Sequence, residues 1–316
     1  MLWLPIIISA YFLLAVCSLI DKYLLSGPMP HPRVYAFYVG LTSIFVVALI
    51  PFVGFFVPET RVLLLSLFTG MVFVLALYWL YFSLHLFDAS RVVPVIGGLS
   101  PFFVLFLIYL FSGGEIFLSF SKTLAFGLLV MGSVLVTLRK ETHVSLSVLR
   151  YSLITAFLFA LEIVLAKYVY LNQPAWNPFW NGFIWIKLGS VLAALVFLLI
   201  SSELRRKIYK PKRTMIGFFS GLETKMRTAF ILIVNRGLGA LANILQNWAV
   251  ALAPLASVAL INALQGLQYF FLILLALIIA FKYPKILKEE ISPVIAFQKI
   301  IALLFIGSGL GILFLL

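Results

Sequence analysis

The stretch ASRVVPVIGGLSPFF at residues 89–103 has a counterpart in the second half of the chain, ASVALINALQGLQYF at residues 256–270. Each stretch opens with Ala-Ser and closes on two aromatic residues, and the second begins 167 positions after the first (256 minus 89). A match of this kind within a chain of 316 residues indicates an internal repeat. The fold therefore depends on the number and kind of secondary-structure elements in each copy of the repeat.

The composition places both copies in a lipid bilayer. Hydrophobic residues make up 64% of the chain and charged residues 10%, whereas a soluble domain is about half apolar and a quarter charged. This excludes a cytosolic enzyme, a nucleic-acid-binding protein and a secreted disulfide scaffold. The one cysteine, Cys17, allows no disulfide within the chain and no cysteine zinc cluster. We therefore expect an all-α integral membrane protein without a metal or a cofactor.

The number of spans follows from the apolar windows. A helix that crosses the roughly 30 Å hydrocarbon core needs about 20 mostly apolar residues. Ten windows meet this requirement: 2–20, 34–57, 62–87, 91–112, 121–138, 150–170, 180–200, 228–252, 254–281 and 294–316. Only one connection is long, the basic loop at 201–227. We therefore expect ten transmembrane helices, five in each half of the chain.

Further matches keep the helix order of the repeat. They are Lys22-Tyr23 with Lys167-Tyr168, Glu115-Ile116 with Glu290-Ile291, and Gly132-Ser133 with Gly307-Ser308, the last two pairs 175 positions apart. Each half has five helices, which is an odd number, so the second half enters the membrane from the opposite side. The sequence therefore predicts two inverted repeats, residues 1–140 and 149–316. Such repeats suit alternating access around a site near the membrane midplane.

Loop charge predicts the orientation. One side of the membrane carries 17 Lys and Arg residues, eight of them between Arg205 and Arg227. The side with both termini carries three: Arg61, Lys122 and Lys167. Because cytoplasmic loops are rich in Lys and Arg, this bias places both termini outside.

Glu162, Lys187 and Arg236 lie well inside the predicted spans, where an ionisable residue costs roughly 2.5–3.5 kcal/mol and therefore marks a functional candidate. A helical rise of about 1.5 Å per residue brings Glu162, Lys187 and Arg236 to comparable depths. Glu162 could form a structural ion pair with either cation. Alternatively, Glu162 serves as a proton-coupling or substrate-amine site, and Arg236 anchors a carboxylate or a phosphate.

Polar stripes on neighbouring spans add candidate ligands for a substrate. Spacings of three, four and seven keep residues on one helical face. The stripes comprise Arg236, Asn243 and Asn247 with Gln246 beside them, Asn262, Gln265 and Tyr269, and the aromatic pair Tyr78 and Tyr81. The amides could form interhelical hydrogen bonds. However, two facing polar stripes near a basic residue favour a water-filled cavity that these side chains line. The tyrosines are more typical of packing, with substrate contact by stacking as the alternative.

In these features the chain resembles the drug/metabolite transporter superfamily, in its ten-helix EamA-like family. The resemblance rests on the Ala-Ser openings, the two Lys-Tyr pairs, and Gly114-Glu115 and Glu289-Glu290 before apolar helices. It implies a secondary carrier of small metabolites, often an exporter of amino acids. Members of the family usually have cytoplasmic termini, in contrast to the charge count here.

We therefore expect a carrier that works by alternating access, located in a prokaryotic plasma membrane. Its partners would be a small-molecule substrate and the lipid bilayer, with no nucleic acid, and it could act as a monomer. The alternatives are a flippase of lipid-linked substrates, a sugar or nucleotide-sugar carrier, and a non-transporting scaffold. An intramembrane enzyme would need a cluster of His, Asp or Cys at one depth, and the sequence has none.

Overall fold

The computed structural model describes residues 1–24, 32–87, 89–115, 118–137, 146–174, 176–209, 222–282 and 293–315. Within these ranges the regular elements are all helices, and no strand is present. The expected all-α fold class is confirmed. Parts of the predicted features, namely residues 210–221 of the basic loop, Ile116 and Glu289-Glu290, lie outside the described residues.

The helices follow the predicted apolar windows. They are α1 (Trp3–Leu24), α2 (Pro32–Thr42), α3 (Ile50–Val53), α4 (Thr60–Leu86), α5 (Ala89–Phe111), α6 (Phe120–Thr137), α7 (Leu146–Leu171), α8 (Trp180–Ile200), α9 (Ser202–Tyr209), α10 (Leu222–Leu252), α11 (Val258–Ala263), α12 (Gly266–Lys282) and α13 (Pro293–Leu315). Two 3₁₀ segments, Ser43–Leu49 and Leu255–Ser257, join α2 to α3 and precede α11. The basic loop expected at 201–227 is thus helical at both of its ends.

Eight helical segments of the described chain are long and apolar enough to cross a membrane. They are Trp3–Ile20, Pro32–Val53, Thr60–Leu86, Arg91–Phe111, Leu146–Leu171, Trp180–Ile200, Leu255–Leu275 and Phe297–Leu315. The window 121–138 corresponds to a shorter apolar helix, Phe120–Val136. The window 228–252 falls on α10, part of whose side chains lie outside the description. The protein is therefore a multi-pass membrane protein built from α-helices.

The ninth predicted window is interrupted. A turn at Leu264 and Gln265 separates α11 from α12, and the backbone amide of Gln265 donates to the carbonyl of Asn262 at 3.1 Å. Its counterpart in the first half, α5, continues as one helix through Pro94 and Pro101. Prolines and short 3₁₀ turns are tolerated within membrane helices because local adjustments and neighbouring helices satisfy the freed backbone groups.

Helices from the two halves of the chain pack against each other. In the second half, α7 packs against α4 and α5. In the first half, α1 packs against α10 and α12. α1 and α7 thus each contact two helices from the other half of the chain.

A close antiparallel crossing joins α6 and α13. A methyl group added at Gly132 would lie 3.0 Å from the carbonyl oxygen of Ala302, and one added at Gly309 would lie 3.1 Å from that of Ala125. The glycines are 177 positions apart (309 minus 132), and so are the two alanines (302 minus 125). The glycine of each helix therefore meets the alanine carbonyl of the other helix in the same way. Small residues permit this close approach, as is typical of membrane helix interfaces.

A second glycine crossing joins α4 to α8. Side-chain atoms at Gly70 would overlap the carbonyl of Ile186, and those at Gly189 would overlap the carbonyl of Leu67. The two backbones can approach this closely only because neither glycine carries a Cβ atom. Phe73 and Lys187 lie within a turn of this crossing, so the crossing fixes their relative position.

Candidate functional site

A charged site lies where α4, α7 and α8 meet. Lys187 on α8 places its Nζ atom 4.7 Å from the centroid of the Phe73 ring on α4 and 5.2 Å from that of Phe183. Glu162, in the middle of α7, interacts electrostatically with Lys187. An ammonium over aromatic rings is stabilised by the ring quadrupole, by about 2 kcal/mol where it is desolvated.

Glu162 and Lys187 do not touch. Among the residues that the structure describes, neither side chain forms an ion pair within 4.0 Å, and neither has a hydrogen-bond partner. The direct Glu162–Lys187 ion pair allowed by the sequence is therefore not formed. An ion pair that does form joins Arg33 of α2 to Glu203 of α9, at 2.8 Å.

Both charged side chains lie inside the bundle. Glu162 is half-buried, yet Thr155, Leu165, Ala166 and Val169 on its own helical face are buried. Lys187 is likewise half-buried. On its face, Phe183 and Ile184 one turn before it and Ser190 one turn after it are buried, whereas Val191 is half-buried. Both charged side chains are therefore flanked mainly by buried residues, which places them inside the bundle rather than on a lipid-facing surface.

At one end of the bundle, beyond these charges, α7 and α10 are joined by hydrogen bonds, and this end is closed. The Tyr170 hydroxyl donates to Oδ1 of Asn247 at 2.9 Å, and Nδ2 of Asn247 donates to the carbonyl of Asn243 at 3.0 Å. Lys167 is buried and donates from Nζ to the carbonyl of Ala251 at 2.8 Å. Lys167 is therefore a helix-joining residue and not the loop residue that the charge count assumed.

An aromatic stack and a set of loop contacts close the same end. We call these loop contacts, made by Asn177, Asn181 and Trp185 with residues 53–56, the loop clasp. Trp248 of α10 stacks on Phe179, which lies just before α8, with ring centroids 6.2 Å apart. Asn181 accepts a hydrogen bond from the Phe56 amide at 3.2 Å, and Trp185 donates to the Phe56 carbonyl at 3.0 Å. Asn177 donates to the carbonyls of residues 53 and 54. The segment after α3 is thus held against the start of α8.

The polar stripe of α10 runs away from this closed end. Asn247, Asn243 and Arg236 share one helical face. Asn247 and Asn243 are half-buried, whereas Arg236, nearest the start of the helix, is exposed. The stripe therefore leads from the contact with Tyr170 toward the opposite end of the bundle.

A second polar cluster surrounds Tyr11 of α1. Its hydroxyl donates to the carbonyl of Ile261 at 2.8 Å, and the side chain of Gln246 lies beside it. Tyr269 lies close enough to interact electrostatically with it. Oδ1 of Asn262 is buried without a hydrogen-bond partner among the described residues, beside the turn that contains Gln265. The predicted residues Gln246 and Tyr269 therefore meet around a tyrosine that the sequence interpretation missed.

The predicted aromatic pair lies outside both polar clusters. Tyr78 packs against the rings of Trp79, Phe82 and Phe197, at centroid distances of 5.7–6.0 Å. Tyr81 is half-buried one turn further along α4. In this structure Tyr78 therefore packs against other aromatic rings, as residues in such a stripe typically do.

Several residues of the site are neither charged nor part of a polar stripe, so the sequence pattern does not mark them. Phe73, Phe183 and Tyr170 are aromatic residues within apolar helices, and the chain has 31 Phe and 13 Tyr. Asn177 and Asn181 lie just before and at the start of α8. As polar residues between two spans, they give only a weak signal in the sequence. Within the described ranges, no group of three or more His, Cys, Asp or Glu residues is arranged to hold a metal ion.

Comparison with known proteins supports the fold alone. No family model matches the chain, and no curated protein matches it. The chain is similar to a solved structure described as "Crystal structure of protein", with a TM-score of 0.64 and 13% identity, over 98% of this chain and 96% of that chain. The likeness extends over essentially the full length of both chains. It identifies an all-helical architecture that is shared with a protein of known structure.

Proposed function

We propose that this protein is a secondary transporter that moves small metabolites across the membrane by alternating access. The observation that carries the proposal is the placement inside the bundle of two opposite charges, Glu162 and Lys187, in the middle of membrane-length helices. Among the described residues, neither has an ion-pair or hydrogen-bond partner. Charges at this depth are costly. A binding site for a polar solute accounts for that cost, whereas packing between helices does not require it.

The asymmetry of the bundle supports alternating access. The end where α7 and α10 finish is closed by the Tyr170–Asn247 bond and the Phe179–Trp248 stack. Toward the other end, the stripe of α10 becomes exposed at Arg236. A site that is closed at one end and accessible at the other is one of the two states that such a transporter exchanges.

The arrangement of helices supports ten spans in two inverted repeats. The α6–α13 crossing relates residues 177 positions apart in both directions, as a two-fold axis between antiparallel copies would do. In the sequence, Gly132-Ser133 matches Gly307-Ser308 at a distance of 175 positions. The structural two-fold relation of 177 positions therefore differs from this sequence match by two residues. The corresponding contacts of α1 and α7 with the opposite half follow the same symmetry. This is the architecture of the EamA-like family, in which amino-acid export is common.

Uptake into proteoliposomes tests the proposal. Amino acids, sugars, nucleotide sugars and a cationic dye are supplied with and without an imposed proton gradient, and Arg236→Ala serves as the variant. Saturable uptake of one class, reduced in the variant, is the expected result. A folded protein that transports none of these would overturn the proposal, and scrambling of a polyprenyl-phosphate lipid in the same vesicles would identify a flippase instead.

A further inference from the structure

A cavity of about 310 Å³ lies at the end of the bundle where α1 and α6 begin and α10 finishes. Its walls include the polar side chains of Lys122 and Ser257 and the apolar side chains of Leu2, Trp3 and Leu252. We infer that this cavity binds the phosphate group of an anionic phospholipid, with the phosphate on Lys122 and Ser257 and the acyl chains along the apolar residues. The inference goes beyond the proposed transport function and does not depend on it.

Positive charge gathers at this cavity without a compensating group. Lys122 is the third residue of α6, and the first turns of α1 and α6 contain no acidic residue. The free amide groups at a helix start carry a partial positive charge, which a nearby anion stabilises and a lysine does not. Lys122 is half-buried, and no described carboxylate lies within 4.0 Å of it. An anion in the cavity is therefore attracted by the lysine and by both helix starts.

The hydroxyl group of Ser257 supplies a hydrogen-bond donor inside the cavity. Ser257 is 1% exposed and stands at the N-cap of α11, where a serine side chain ordinarily accepts a hydrogen bond from the backbone. Here the side chain makes no capping bond, and it has no hydrogen-bond partner elsewhere in the described part of the chain. A buried hydroxyl group without a partner is costly. A phosphate oxygen in the cavity accepts this hydrogen bond.

The depth and the apolar wall of the cavity select a lipid over a soluble phosphate. Membrane-length segments begin at Trp3 and at Leu255, so the cavity lies where the hydrocarbon core gives way to the headgroups. Tryptophan is enriched at this depth. Leu2 and Leu252 are exposed apolar residues at the rim, suited to contact acyl chains. The volume equals that of the smaller pockets that bind small molecules, about 300 Å³.

Native mass spectrometry of the detergent-purified protein tests the site. Three ligands are titrated separately: dioleoyl phosphatidylglycerol, dioleoylglycerol, which has the same acyl chains without the phosphate, and glycerol 3-phosphate, which has the phosphate without the chains. We expect the tightest phosphatidylglycerol to bind at least tenfold better than either of the others. Equal binding of dioleoylglycerol overturns the phosphate site. Equal binding of glycerol 3-phosphate overturns the lipid and assigns the cavity to a soluble phosphate.

Variants of the two polar residues locate the phosphate. Lys122→Met should weaken the tightest phosphatidylglycerol binding at least fivefold and Ser257→Ala at least twofold, whereas Lys122→Arg keeps the charge and should bind as the unaltered protein does. Arg61→Met is the matched control, because it removes an exposed cation from the first turn of α4 on the side predicted to carry Lys122 as well.

The control separates a built site from the general attraction of anionic lipids to a basic surface. Arg61→Met should change the affinity less than twofold, and equal losses in Lys122→Met and Arg61→Met overturn the inference. If Lys122→Met does not fold, Ser257→Ala and the ligand series of the unaltered protein decide.

Lipid binding is measured without transport, so the two proposals fail separately. A protein that transports no solute but binds the lipid leaves the cavity site standing. A carrier that shows no preference for phosphatidylglycerol overturns the cavity site alone.

Discussion

The hydroxyl group of Tyr170 on α7 donates a hydrogen bond to Oδ1 of Asn247 on α10, at 2.9 Å, across the boundary between two helices of the second half. Asn247 was a candidate substrate ligand by its place in the polar stripe. In this structure its amide is instead engaged on both sides, by Tyr170 and by the carbonyl of Asn243. The bond holds the closed end of the site together.

Removing this bond should favour opening at the closed end. Tyr170→Phe loses only the hydroxyl, and interhelical hydrogen bonds of this kind contribute roughly 0.6 kcal/mol on average. We expect a two- to threefold increase in the rate at which the cysteine of Asn243→Cys, one turn before Asn247 on α10, is labelled in a Cys17→Ala background, because Asn243 takes part in this contact only through its backbone carbonyl. Tyr168→Phe, on the same helix, serves as the control. Unchanged labelling in Tyr170→Phe would show that the bond does not control access.

The α6–α13 crossing should not tolerate even a methyl group. Gly132→Ala and Gly309→Ala would force contact with a carbonyl oxygen at 3.0–3.1 Å, and overpacking of this kind costs typically 1–3 kcal/mol. Gly127→Ala and Gly311→Ala are matched controls on the same two helices, because nothing lies within 4 Å of their added methyl groups. Thermal unfolding in detergent measures the difference. Equal melting temperatures in all four variants would contradict the crossing.

The loop clasp should be stabilised mainly by Asn181 and Trp185. Asn181→Ala leaves the Phe56 amide without its acceptor, and a typical hydrogen bond contributes about 1 kcal/mol. We expect faster hydrogen exchange of the backbone around residue 56, by roughly fivefold. Asn172→Ala is the control, since that side chain is exposed and bonds only within its own helix. Slow exchange in Asn181→Ala would mean that other contacts hold the loop.

Phe73 should affect substrate affinity through Lys187. Phe73→Leu keeps an apolar side chain but removes one of the two rings over the ammonium, and a desolvated cation–π contact is worth about 2 kcal/mol. We expect KM for the transported solute to rise by roughly tenfold with little change in the maximal rate. Phe68→Leu, at an exposed position on the same helix, should leave KM unchanged. A lower maximal rate with unaltered KM would argue against a role in binding.

The polar residues show how far the sequence interpretation reached. Helical spacing predicted that Arg236, Asn243 and Asn247 share a face, and α10 is one continuous helix over these residues. Spacing also brought Glu162 and Lys187 to a similar depth, where they interact. It could not show that the two charges stay apart, that Asn247 bonds Tyr170, or that Gln246 lies beside Tyr11. Each of those facts depends on which helices are neighbours.

The sequence by itself determined the class of protein and the positions of most spans, because apolar windows of about 20 residues have only one stable environment. Eight of them coincide with membrane-length helices in the described chain. Only the tertiary structure decided which helices touch and which polar groups meet. Lipid tails are as apolar as the side chains, so hydrophobicity does not select helix neighbours in a bilayer. Close contacts at a few small residues do, such as Gly70 with Gly189 and Gly132 with Ala302, and these are distant in sequence.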